Sequence, residues 1–145
     1  MAVLDGGIGA WKGPLRSGEE RSEPAELVPR PREGDSIGAE ELSARLGEPG
    51  LVVVDTRAPE RYRGEIEPID PVAGHIPGAV NWPHTEAATV PGPVLAADEI
   101  VVYCGSGVTA CVDLLALAEA GRADAKLYPG SWSEWSRRGL PVERG

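Results

Sequence analysis

Ile100-Val101-Val102-Tyr103-Cys104-Gly105-Ser106-Gly107-Val108-Thr109-Ala110 begins as an unbroken apolar run, meets a thiol, and then turns through two glycines. Such a run predicts a strand of a parallel sheet, buried on both faces. Beyond the loop, Val112 to Ala120 predicts a helix, with Leu114, Leu115, Leu117 and Ala118 as its apolar face and Gly121 as its C-terminal cap. The same order recurs upstream. Leu51-Val52-Val53-Val54-Asp55 is a second apolar run ending in an acid, and Glu40 to Leu46 is a short helix with Leu42 and Leu46 one turn apart. Ala79 to Trp82 is a weaker strand, and Lys126 to Tyr128 a last one. Ser131 with Glu134 three residues on has the form of a capping box for a helix around Trp132 and Trp135. Strands alternating with helices imply an α/β fold, a mostly parallel sheet flanked by helices. Ligands of such sheets bind beyond the carboxyl ends of the strands, where Cys104 stands.

The loop itself points to thiolate chemistry. Gly105 and Gly107 let the backbone curl so that successive N–H groups face inward, and the following helix adds its positive end. A thiol at the base of that cradle ionises more readily than a free cysteine. The cradle also suits an anion, with Ser106 and Thr109 as further hydroxyl donors. Burial as an inert core residue is the usual fate of a free cysteine. Here the glycines, the hydroxyls and the strand-to-helix position argue against it. A tyrosine-phosphatase loop would need a guanidinium to clamp the phosphoryl oxygens, and the sixth residue after the thiol is Ala110, not arginine. Cys104 and Cys111 are too far apart for a thioredoxin pair, and Cys111 is expected on the helix as a core residue, with a role as a resolving thiol the alternative.

The whole chain is consistent with one domain and a tail. It has 145 residues, with 14 basic against 23 acidic side chains and a net charge of −9. That balance disfavours nucleic acid and anionic membrane surfaces, both of which need a positive field. No apolar run is long enough to span a bilayer. Met1 to Asp5 lacks the basic start and apolar stretch of a signal peptide, so the chain reads as cytoplasmic, with both cysteines reduced. Lys12 to Gly34 has no hydrophobic period and several prolines and glycines, as a linker does. Val3 to Trp11 before it is similar to Leu127 to Trp135, as in a tandem repeat cut near a boundary. Residues 1–33 are thus expected to be a remnant and linker, and 34–145 the domain.

Cys104 to Cys111 resembles the active-site loop of rhodanese-type sulfurtransferases, in particular their 3-mercaptopyruvate branch. Three other stretches agree with it, in the right order. They are Val54-Asp55-Thr56-Arg57 with Glu60 to Gly64, then Gly74-His75-Ile76-Pro77-Gly78-Ala79, and the closing Leu127 to Trp135. The chain is similar to the catalytic C-terminal half of a tandem rhodanese, with 1–33 as the tail of a preceding rhodanese-like domain. The resemblance implies a three-layer fold and a Cys104 persulfide. Thiosulfate or 3-mercaptopyruvate would load it, and cyanide or a thiol would take the sulfur away. It implies no metal and no organic cofactor. It assigns donor binding to Arg61 and to the loop residues Gly105, Ser106, Gly107, Val108 and Thr109. Asp55 and Arg57 would brace the loop from beneath, His75 would be structural, and His84 carries no signal. Glu67 to Pro71 offers no arginine where the mercaptopyruvate branch has a second one. Only 22 residues, three of them prolines, separate Asn81 from Cys104, so the crossover before the catalytic strand is shortened. A less covered sheet face there would suit a homodimer partner or a rhodanese-like first domain. The second reading is a rhodanese module that carries persulfide from a partner protein, or regulates it, without turning over small donors.

Overall fold

In a computed structural model, residues 3–19, 21, 23–26, 28, 29 and 33–145 are described. Met1 and Ala2 of the chain start, and Glu20, Ser22, Leu27, Arg30, Pro31 and Arg32 of the expected linker, lie outside the described residues. The chain divides into two units, Met1–Arg30 and Pro31–Gly145. In the first, Gly6 and Gly7 at positive φ lead into a one-turn helix α1 (Gly7–Ala10), and the Trp11 indole donates to the Pro14 carbonyl at 3.4 Å.

The second unit is built on a four-stranded parallel sheet. Its strands are β1 (Leu51–Asp55), β2 (Val80–Asn81), β3 (Glu99–Tyr103) and β4 (Lys126–Leu127), in the order β2-β1-β3-β4. The period of two then sorts the side chains. Val53, Val101 and Tyr103 point to one face, where they pack with Leu42, Ile76, Trp132 and Trp135. Helices α2 (Ala39–Arg45) and α6 (Ser131–Arg137) cover that face. Val54, Ile100, Val102 and Cys104 point to the other, against Trp82, Val94, Ala110 and Leu117. There the cover comes from α4 (Gly92–Leu95) and α5 (Ala110–Glu119). Helix, sheet, helix is the expected three-layer arrangement, and both apolar runs are strands because both their faces are buried. The shortened crossover holds only a 3₁₀ turn (His84–Glu86) and the single turn of α4. A further one-turn helix, α3 (Pro59–Tyr62), follows β1.

Three local expectations are corrected. Ser131 does not form a capping box, since no side chain caps α6. Its backbone sits at φ +52, and its hydroxyl accepts from the Cys104 N–H at 3.2 Å and donates to the Tyr128 carbonyl at 2.9 Å. Glu134 is drawn instead to the Tyr128 hydroxyl and Arg138. Supporting the loop thus takes the side chain that would have capped the helix. On α5 the inward stripe is Ala110, Asp113 and Leu117, while Leu115 is exposed. The helix is rotated from the face its leucines suggest, which carries an acid into the interior. Cys111, expected in the core, is exposed at the start of α5 on the outward side, its thiol donating to the Gly107 carbonyl at 3.4 Å.

Candidate active site

The loop after β3 is held from outside so that its N–H groups are free to face inward. Trp132 and Ser133, in the first turn of α6, donate to the carbonyls of Cys104 and Gly105 at 3.0 and 2.9 Å. With those carbonyls turned outward, the Gly107 N–H lies 3.1 Å from the Cys104 Sγ. Only glycine fits at 107: φ is +79, and an added Cβ would stand 2.6 Å from the Pro129 carbonyl oxygen. Burial pushes the Cys104 thiol up. The Thr109 hydroxyl and the N–H groups of Ala110, Ser106 and Gly107 outweigh that and hold it below the ordinary range.

Asp55 and Arg57, expected to brace the loop from beneath, form a buried pair at the end of β1, and Arg57 also lines the cavity with Cys104. Arg57 Nη2 donates to Asp55 Oδ2 at 2.6 Å and to the Gly74 carbonyl at 2.7 Å, and its Nη1 reaches Glu67 at 3.2 Å. The guanidinium lies 4.6 Å over the Trp132 ring, on the helix that carries the loop. Asp55 also accepts from the Tyr103 hydroxyl at 2.8 Å. Burial opposes the Arg57 charge, and the hydrogen bond and charge of Asp55 overcome it, so its pKa is raised. His75 is structural: its Nδ1 donates to the Tyr62 carbonyl at 2.7 Å and its ring stacks on Tyr62.

Above the thiol opens a cavity of about 320 Å³. One wall is the loop, with Cys104, Gly105, Ser106, Val108 and Thr109, while Gly107 contributes from behind through its N–H. Arg61 also lines the cavity, its guanidinium close to Gly105, pairing with Glu67 at 2.6 and 3.3 Å and lying 3.9 Å from Asp70. Burial pushes Glu67 up, but Arg61 and the N–H groups of Ile69 and Asp70 hold it below the ordinary range. Asp70 lines the cavity as well, accepting from Ser133 at 2.9 Å with Arg137 at 3.1 Å. The structure therefore gathers the candidate residues around one space.

Sequence reasoning missed three groups on these walls. Asp70 and Ser133 join them through a contact spanning 63 positions. The only signal was the acidic stretch after Arg61. His84, set aside as a loop residue, sits in the 3₁₀ turn and lines the cavity beside Cys104. Its backbone N–H and Nδ1 both meet the Thr56 carbonyl, at 3.0 and 3.2 Å. That carbonyl belongs to the residue just past β1, so the end of a strand draws the histidine in. No group of three or more His, Cys, Asp or Glu side chains able to hold a metal occurs among the described residues.

Comparison with known proteins gives a consistent picture. Residues 38–138 match the family described as "Rhodanese-like domain". A Pseudomonas aeruginosa protein named "Probable 3-mercaptopyruvate sulfurtransferase" is 45% identical, over 92% of this chain and 54% of its own length. The human "3-mercaptopyruvate sulfurtransferase" is 36% identical over 99% of this chain and 55% of its own. Among solved structures, "Crystal Structure of Probable Thiosulfate Sulfurtransferase" superimposes with a TM-score of 0.71 at 32% identity, covering 87% of this chain and 55% of that one. The chain spans about half the length of the curated relatives it matches. No helix among the described residues is long and apolar enough to cross a membrane.

Proposed function

The chain belongs to the rhodanese-like domain family, and from that membership and the geometry around Cys104 we propose that it is a sulfurtransferase domain working through a Cys104 persulfide. The observation that carries this reading is the thiol itself, held under inward N–H groups at the floor of a cavity that Arg61 also lines. The Cys104 thiolate attacks the outer sulfur of thiosulfate or the thiol sulfur of 3-mercaptopyruvate. The bond from that sulfur to the donor breaks, and its electron pair leaves with sulfite or with the enolate of pyruvate. The loop N–H groups that lower the thiol's pKa then stabilise the terminal persulfide sulfur. Cyanide or a thiol removes it and returns Cys104 to the thiolate.

Donor anions meet no favourable overall field, since the net charge is −9. Attraction is local, from the amide cradle, Ser106, Thr109 and the part of Arg61 that Glu67 leaves uncovered. Residues 34–145 carry the reaction, and 1–33 are the tail and linker of a preceding rhodanese-like domain. A reducing, cytoplasmic setting goes with this reading, because the reaction needs Cys104 as a thiol.

Brief treatment with thiosulfate or 3-mercaptopyruvate should add the mass of one sulfur atom to the intact protein. Cyanide should remove the adduct, and Cys104→Ala should never form it. A wild-type protein that stays unmodified by both donors would refute the reading.

A further inference from the structure

His84 sits in the 3₁₀ turn that packs against α5, and it lines the cavity together with Cys104. The histidine is fixed in one tautomer. A carbonyl only accepts, so Nδ1 carries the proton that it donates to Thr56. In the neutral ring Nε2 then holds a free lone pair, with no hydrogen bond to it among the described residues.

We propose that His84 is the proton carrier of the cavity, taking the proton of a thiol acceptor through Nε2. This rests on the sulfurtransferase reading above. In the step assigned to it, an acceptor R–SH passes its proton to Nε2, and the thiolate attacks the outer sulfur of the Cys104 persulfide. The Cys104 Sγ–S bond breaks and its electron pair returns to Sγ. The product R–S–S⁻ leaves, and the proton follows to it or to water. Loading from thiosulfate needs no proton transfer, so His84 is idle in that half of the cycle.

Several charged groups face His84. The Cys104 loop supplies the thiol, Arg57, Arg61 and Asp70 line the same cavity, Glu86 is on its own turn, and Asp113 is on the helix packed against that turn. The two arginines are paired with Asp55 and Glu67.

The test separates the two halves of the reaction in His84→Asn, whose amide can still donate to the Thr56 carbonyl but lacks the second nitrogen. Persulfide is loaded from thiosulfate and discharged to either of two acceptors. One is thionitrobenzoate, already a thiolate at neutral pH; the other is 2-mercaptoethanol, which is not. Loading and discharge to thionitrobenzoate should match wild type, which also shows that the site is intact. Discharge to 2-mercaptoethanol should slow by about 100-fold, the usual scale of general-base assistance. Equal rates with 2-mercaptoethanol, or equal slowing with both acceptors, would overturn the proposal while leaving the sulfurtransferase reading intact. A wild-type protein that does not load would overturn both.

Discussion

Asp113 makes the stability of this domain depend on pH in a direction opposite to that of ordinary paired carboxylates. Burial pushes its carboxyl up from 3.8 to about 7, and no hydrogen bond or ion pair to another described residue holds it down. The folded protein thus keeps a proton that the unfolded chain gives up. Stability from this group is whole below pH 4, is lost as pH rises toward 7, and then levels off. Each pH unit in that window is worth about 1.4 kcal/mol. The full loss comes to roughly 2–4 kcal/mol, the lower value allowing for screening by water in the adjoining cavity. Asp113→Asn removes the titration and keeps the shape. Urea unfolding of both proteins between about pH 5.5 and 8.5 stays clear of the isoelectric point near 4.7, where solubility is lowest. The difference in unfolding free energy should move in the variant's favour by about 2 kcal/mol across the lower half of that range, and then stay constant. The constant cost of a buried amide shifts the whole difference but not its slope. Parallel curves for the two proteins would refute the reasoning, because they would mean that Asp113 ionises in the folded state as it does in the unfolded chain.

Other expectations follow from the geometry of the loop and its supports. Gly107→Ala places a Cβ 2.6 Å from the Pro129 oxygen at φ +79, and should cost about 1–3 kcal/mol with loss of persulfide loading; an unchanged Tm and loading rate would count against the cradle. Thr109→Val removes a hydrogen bond to Cys104, so the midpoint of alkylation rate against pH should move up toward that of an ordinary thiol. Arg57→Met leaves Asp55 and Glu67 without their shared buried partner, and should lower stability by about 3–5 kcal/mol in urea unfolding. Glu67→Gln frees Arg61 from its tightest pairing, so the KM for thiosulfate should fall several-fold with kcat little changed.

Much of the fold could be read from consecutive residues. Leu51–Asp55 and the run into Cys104 are strands, as their unbroken apolar character demands, because each is enclosed on two sides. The loop was legible for a related reason: Gly107 needs its positive φ whatever surrounds it, and the thiol stands where a parallel strand ends. Helix faces were harder. Leucines at 114, 115 and 117 suggested one stripe on α5, but packing against Trp82 and Ala87 turned the helix so that Asp113 went inside. Ser131 shows the same limit, since a capping pattern is local but its hydroxyl had a better use under Cys104.

The sequence by itself determined the parallel α/β sheet, the position of Cys104 at a strand end, and the amide cradle around it. These follow from side-chain period and from glycine's backbone freedom, which act between near neighbours. Only the tertiary structure decided what else shares the cavity with the thiol. Glu67 takes the charge of Arg61, Asp70 comes to the wall through Ser133, and His84 meets the thiol's cavity with Asp113 buried behind it. Such groups are brought together by the closing of a sheet whose strands are far apart in the chain. Whether a charge there is paired, screened or left alone depends on distance and burial, which no spacing of residues encodes.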